Sequence, residues 1–112
     1  MIKCAKQSPR VCGDNTIRWY EGDTFQIELN FTKLDNNGNT LSVEETDVFA
    51  MTIVNKQKEV IHEIEVTGTN TIVIDMTEEL TAKFTKGTYF YDVELRGEYI
   101  TTVVNENKLV VE

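Results

Sequence analysis

The residue best suited to acid–base chemistry near neutral pH is the chain's single histidine, His62. An imidazole can act as a general base, provided that a nucleophile and an orienting acid lie beside it. His62 stands in residues 60–66, where Val60, Ile64 and Val66 share its side of an extended chain. A histidine among apolar neighbours favours a structural role, and the spacing assigns it no catalytic partner.

Two pairs of adjacent glutamates are the next candidates, Glu44 with Glu45 and Glu78 with Glu79. Neighbouring side chains of an extended chain point to opposite sides. Both pairs open polar or helical segments, where acids are solvated or stabilise a helix N-terminus. No catalytic residue is therefore assigned, and the sequence predicts a protein that is not an enzyme.

Residues 35–39, with the sequence DNNGN, resemble the start of a calcium-binding loop. Such a loop of the EF-hand type needs glycine at its sixth position and a bidentate acid at its twelfth. Counted from Asp35, those positions are Thr40 and Thr46, so the pattern fails at both. The segment instead predicts a hydrogen-bonded turn between strands, and we expect neither a metal nor a cofactor.

The two cysteines, Cys4 and Cys12, lack the paired spacing of a zinc site. A disulfide across the turn that contains Pro9 is geometrically possible. Two free, partly buried thiols are favoured in a reducing cytosol.

Aromatic side chains could form a carbohydrate site, because sugars stack on aromatic faces. Trp19 with Tyr20, and Tyr89 with Tyr91, are the candidates. Aromatic residues that alternate along a strand are more often part of a core, so no binding residue is assigned.

The charge limits the classes of partner. Among 112 residues, 19 acidic and 11 basic side chains give a net charge of −8. Binding to nucleic acid or to an anionic membrane needs a basic face, so neither partner is expected. No signal peptide or membrane-spanning segment is recognised, which predicts assembly in the cytoplasm.

The length predicts a single domain over residues 1–112, with residues 1–15 as an irregular N-terminal arm. Alternation of apolar and polar residues predicts an all-β, Ig-like antiparallel sandwich of about seven to nine short strands. One short helical turn is expected near residues 77–84, with Thr77 as its N-cap. Strands are predicted at residues 16–20, 24–31, 48–54, 60–66, 71–76, 88–95, 99–104 and 108–111.

Residues 80–95, LTAKFTKGTYFYDVEL, resemble a sequence motif that is common in tailed-phage structural proteins. With residues 22–25 and 101–104, they make the chain similar to the N-terminal domain of phage baseplate upper proteins and related small Ig-like virion modules. The resemblance implies a non-enzymatic structural protein of a phage or prophage tail or baseplate. Its expected partners are other virion proteins and further copies of itself, and its expected location is the virion. The alternative is an Ig-like domain that binds a carbohydrate or a protein through its loops.

Overall fold

The computed structural model describes residues 9–112, and only the backbone of Arg10. Within this range the chain forms ten strands and one short helix. The elements are β1 (Arg10–Val11), β2 (Ile17–Trp19), β3 (Phe25–Asn30), β4 (Lys33–Leu34), β5 (Thr40–Leu41), β6 (Val48–Val54), β7 (Val60–Thr67), β8 (Thr71–Met76), α1 (Glu78–Thr81), β9 (Gly87–Arg96) and β10 (Ile100–Val111).

Two layers of strands enclose the core. The first is a six-stranded sheet in the order β1-β2-β10-β9-β6-β7, and the second is the antiparallel pair β3-β8. A separate hairpin, β4-β5, lies within the connection between β3 and β6. All neighbours are antiparallel except β2 and β10, which run parallel. The chain is therefore the all-β sandwich that the alternating pattern predicts.

The buried face of each long strand follows the period of two. Phe49, Met51 and Ile53 of β6 are fully buried, as are Ile72 and Ile74 of β8. Every second residue of β9, from Tyr89 to Leu95, joins the same core. Alternate side chains of a strand point to opposite faces, so one apolar set covers the whole inner face of the sheet.

The helical turn before β9 forms as predicted, although α1 itself is only four residues long. The hydroxyl of Thr77 accepts a hydrogen bond from the Leu80 amide at 3.3 Å, which caps the N-terminus. Phe84, just beyond α1, is buried against Trp19, with ring centroids 5.5 Å apart. The Tyr89 hydroxyl donates to the Thr85 carbonyl at 2.9 Å. This contact is similar to the tyrosine corner found in Ig-like sandwiches, and it fixes the turn into β9.

The C-terminal hairpin differs from the prediction. Residues 99–104 and 108–111 are not two strands separated by a turn, because β10 runs without a break from Ile100 to Val111. Two shifts in its pairing with β9, between Thr102 and Val104 and between Val104 and Asn107, each insert one extra residue. Glu106 accommodates the second bulge with a φ of 47°.

A bulge also changes the predicted face of β7. Ile53 pairs with His62 and Val54 pairs with Val60, so Ile61 is the inserted residue. Ile61 packs on the core, whereas Val60 is exposed. The prediction that Val60 shares the face of His62 is therefore wrong.

The described residues form ten strands, more than the predicted seven to nine. β1, β4 and β5, which have only two residues each, are not among the predicted strands. β1 lies inside the predicted irregular arm and pairs with β2, so the arm prediction is wrong at Arg10 and Val11. Residues 1–8 of that arm lie outside the described chain. Across residues 9–112, no helix has the length and apolar character needed to cross a membrane.

Candidate functional site

Among the sequence candidates for chemistry, His62 and Glu79 line the same cleft. His62 is half-buried in β7 and lines a shallow cleft with Asp75, Thr77 and Lys83. Burial lowers the pKa of His62, and the charge of Lys83 lowers it further. The hydroxyl in this cleft belongs to Thr77, which already caps α1. The arrangement supports the structural interpretation of His62.

The predicted turn at residues 35–39 is formed, and the Asp35 carboxylate holds it closed. It accepts hydrogen bonds from the amides of Asn37 and Asn39, both at 2.8 Å. These contacts, led by the Asn39 amide, lower the pKa of Asp35. Gly38 occupies a turn position with a φ of 82°. Within residues 9–112, no three His, Cys, Asp or Glu side chains gather as ligands for a metal ion.

The remaining candidates are the two cysteines and the two glutamate pairs. Cys12 is disulfide-bonded, so the expectation of a free thiol is wrong at this residue. Cys4 lies outside the described residues. Glu44 and Glu45 are exposed in a loop, whereas Glu78 and Glu79 occupy the exposed first turn of α1.

The aromatic pairs do not form a sugar-binding platform. Trp19, Tyr89 and Tyr91 are buried in the core, and only Tyr20 of the two predicted pairs is exposed. The Tyr91 hydroxyl donates to the Asn15 carbonyl at 2.6 Å. These rings therefore stabilise the fold.

A further site lies at one end of the sandwich, here called the loop end, and it includes the turn at residues 35–39 and the pair Glu44 and Glu45. It comprises the connections at residues 31–47, 68–70 and 97–99, which follow β3, β7 and β9. Backbone contacts join them, since the Gly68 amide donates to the Asp47 carbonyl at 2.9 Å. The loop end is thus one connected surface.

Asp47 lies at the centre of the loop end and is only 4% exposed. Its Oδ2 accepts hydrogen bonds from the Lys33 ammonium at 2.6 Å and from the Glu44 amide at 2.8 Å. These two donors, with Lys33 first, lower the pKa of Asp47. The same contact raises the pKa of Lys33. The buried carboxylate therefore stays ionised and holds the β4-β5 hairpin against the start of β6.

Gly97 brings the β9-β10 turn against the same carboxylate. A methyl group added at its Cα would lie 2.6 Å from Asp47 Oδ1, closer than side chains approach one another. The absence of a side chain at residue 97 therefore allows the two turns to meet.

A cleft of about 320 Å³ opens between the two hairpins at the loop end. Three apolar or aromatic side chains on its rim are exposed: Leu34 by 54%, Leu41 by 42% and Tyr99 by 76%. Ile100, next to Tyr99, is also largely exposed. This loop-end cleft therefore combines an ordered polar floor with an apolar rim.

A second cleft, of about 410 Å³, lies at the opposite end of the sandwich between the β6-β7 turn and the connection from α1 to β9. Lys56, Lys83 and Lys86 line this lysine cleft, together with Ile61 and Tyr89, and no carboxylate lines it. Within the described chain, none of the three ammonium groups has an ion-pair partner within 4 Å. The lining of the lysine cleft is therefore basic, although Glu21 accepts a hydrogen bond from the Lys86 amide at 2.9 Å and Lys83 also lines the His62 cleft with Asp75 and Glu79.

Comparison with known proteins finds no match among protein-family models, curated proteins or solved structures.

The sequence carried weak signals for the loop end. Leu34 and Leu41 flank the turn at residues 35–39, and an apolar residue beside an exposed turn is a candidate contact. Tyr99 and Ile100 follow the short turn after β9 in the same way. Asp47 gave no such signal, because its partner Lys33 is fourteen residues away.

Proposed function

We propose that the chain is a non-enzymatic assembly module of a phage or prophage tail or baseplate, and that its loop end contacts another protein. The observation that carries the proposal is the exposure of Leu34, Leu41 and Tyr99 around one cleft. Apolar side chains gathered at one place and rimmed by polar groups are typical of protein contact surfaces.

The contacts beneath this surface hold the loops in one arrangement, so a partner can bind without rearranging them. Asp47 fixes the β4-β5 hairpin through Lys33, and Gly97 sets the β9-β10 turn directly against Asp47. A surface that is ordered before binding loses less conformational entropy when it binds.

The phage setting rests on the resemblance of residues 80–95. In the fold these residues form the end of the helical turn, the Tyr89–Thr85 contact and most of β9. They build the core, so the contacts with other virion proteins are assigned to the loops instead.

The test is co-expression with the proteins encoded by flanking genes, followed by light scattering of the purified complexes. We expect a complex of defined mass that Leu34→Ser and Tyr99→Ser each weaken. Val60→Ser and Tyr20→Ser are matched controls, because both residues are exposed but lie outside the loop end. Complexes that survive both loop-end variants, or a locus without virion genes, would contradict the proposal.

The alternative is a domain that binds a carbohydrate through the same loops. The exposed Tyr99 beside Glu98 on the rim supports it, since an aromatic face and a carboxylate together can bind a sugar. This alternative predicts saturable binding to a glycan array that Tyr99→Ala removes, and an array without signal would rule it out.

A further inference from the structure

The two ends of the sandwich carry complementary chemistry. The loop-end cleft is lined by the carboxylates of Asp35 and Glu98, and its one cation, Lys33, is neutralised by Asp47. Asp35 and Glu98 therefore leave this cleft acidic, with Tyr99 on its rim. The lysine cleft is lined by three ammonium groups and no carboxylate.

The clefts face away from each other along the strands. β6 begins immediately after Asp47 and ends before the turn that contains Lys56. β9 runs the other way, from Gly87 beside the lysine cleft to Arg96 before Gly97. Each strand thus spans the distance between the two clefts, so one molecule cannot bring its own clefts together.

We propose that the loop end of one copy binds the lysine cleft of a second copy, which gives a head-to-tail contact. This inference rests on the proposed function and names the partner as another copy of the chain. Glu98 would form ion pairs with Lys83 and Lys86, and the exposed ring of Tyr99 would meet an ammonium group through its face. A contact between two different surfaces repeats, and it closes into a ring or extends as a filament.

The acidity of the remaining surface adds specificity. Like charges repel most other approaches of two copies, so the basic cleft is the favoured position for an acidic end. The contact should also weaken as salt screens it.

The experiment is sedimentation equilibrium of the full chain at low and high salt, with charge reversal at each end. We expect the wild-type chain to associate at low salt, and Lys86→Glu and Glu98→Lys each to raise the dissociation constant by about tenfold or more. An equimolar mixture of the two variants should associate again, because each reversed end then meets a complementary one. Lys108→Glu and Glu63→Lys are controls with the same net charges and lie in exposed positions of the sheet.

Thermal unfolding of each variant shows whether it is folded as the wild-type chain is. Wild-type chains that stay monomeric at low salt and millimolar concentration would overturn the head-to-tail contact. Association that Tyr99→Ser removes but Lys86→Glu leaves intact would overturn it too, while the proposed loop-end function would stand. A mixture of Lys86→Glu and Glu98→Lys that stays dissociated would also overturn it.

Discussion

Asp47→Asn tests whether an ionised buried carboxylate holds the loop end together. Asparagine has nearly the same shape and still offers an oxygen to the Glu44 amide. It removes the negative charge that the Lys33 ammonium contacts at 2.6 Å. The change therefore isolates the ionic part of the interaction.

The structure sets the expected size of the effect. Asp47 is 4% exposed, so water replaces the lost partner poorly. A buried hydrogen bond to a charged group contributes about 1.5–3 kcal/mol. We expect Asp47→Asn to lower the free energy of unfolding by about 2 kcal/mol at pH 7, and to lower the urea midpoint by roughly 1 M.

The pH dependence gives a second, independent readout. Contact with Lys33 and the Glu44 amide lowers the pKa of folded Asp47 below its usual 3.8. The stabilisation is therefore complete above pH 3.8 and is lost as the pH falls through the lower pKa of the folded state. The difference between the wild type and Asp47→Asn should be full at pH 7 and should shrink below pH 3.8.

Urea unfolding followed by fluorescence of Trp19, the single tryptophan, measures both effects. Asp75→Asn is the control, because Asp75 is an exposed carboxylate on β8. Equal stability of Asp47→Asn and wild type at pH 7, or a difference that stays constant below pH 3.8, would refute the reasoning.

Three further predictions concern single contacts. Gly97→Ala should destabilise the fold by about 1–2 kcal/mol in thermal unfolding, because the added methyl group would press on Asp47. Gly13→Ala is the control, because the space around Gly13 is open. Tyr89→Phe should cost about 1 kcal/mol in urea unfolding, because the bond to the Thr85 carbonyl is lost, and an unchanged midpoint would count against this contact. Burial first, and then the charges of Glu94 and Glu106, raise the pKa of Asp92 above its usual 3.8, so its ionisation opposes folding increasingly above pH 3.8 and fully once the pH exceeds the raised pKa. Asp92→Asn should therefore stabilise the chain slightly at pH 7, by up to about 0.5 kcal/mol, and should have no effect at pH 3.

The regular parts of the fold could be predicted because they depend on local alternation. The buried series in β6 and β9 follows a strict period of two, and Thr77 with Leu80 and Phe84 marks the helical turn. The bulges at Ile61 and within β10 could not be predicted, because the position of an inserted residue depends on how the neighbouring strand pairs. Composition alone makes residues 105–107 turn-like, whereas pairing with β9 keeps them within a strand.

The candidate site was harder to predict for the same reason. Asp47 acquires its role from Lys33 and Gly97, which lie fourteen residues before it and fifty residues after it. The sequence identified the exposed turns but not the cleft between them, since their distance from one another is set by the sandwich as a whole.

The position of β10 has a consequence for how the six-stranded sheet folds. β10 follows every other described strand in the sequence, yet it lies between β2 and β9 in the sheet. Without β10, the sheet consists of two separate parts, the pair β1-β2 and the three strands β9-β6-β7. Until β10 joins these parts, β2 and β9 each present an unpaired edge that other chains can contact.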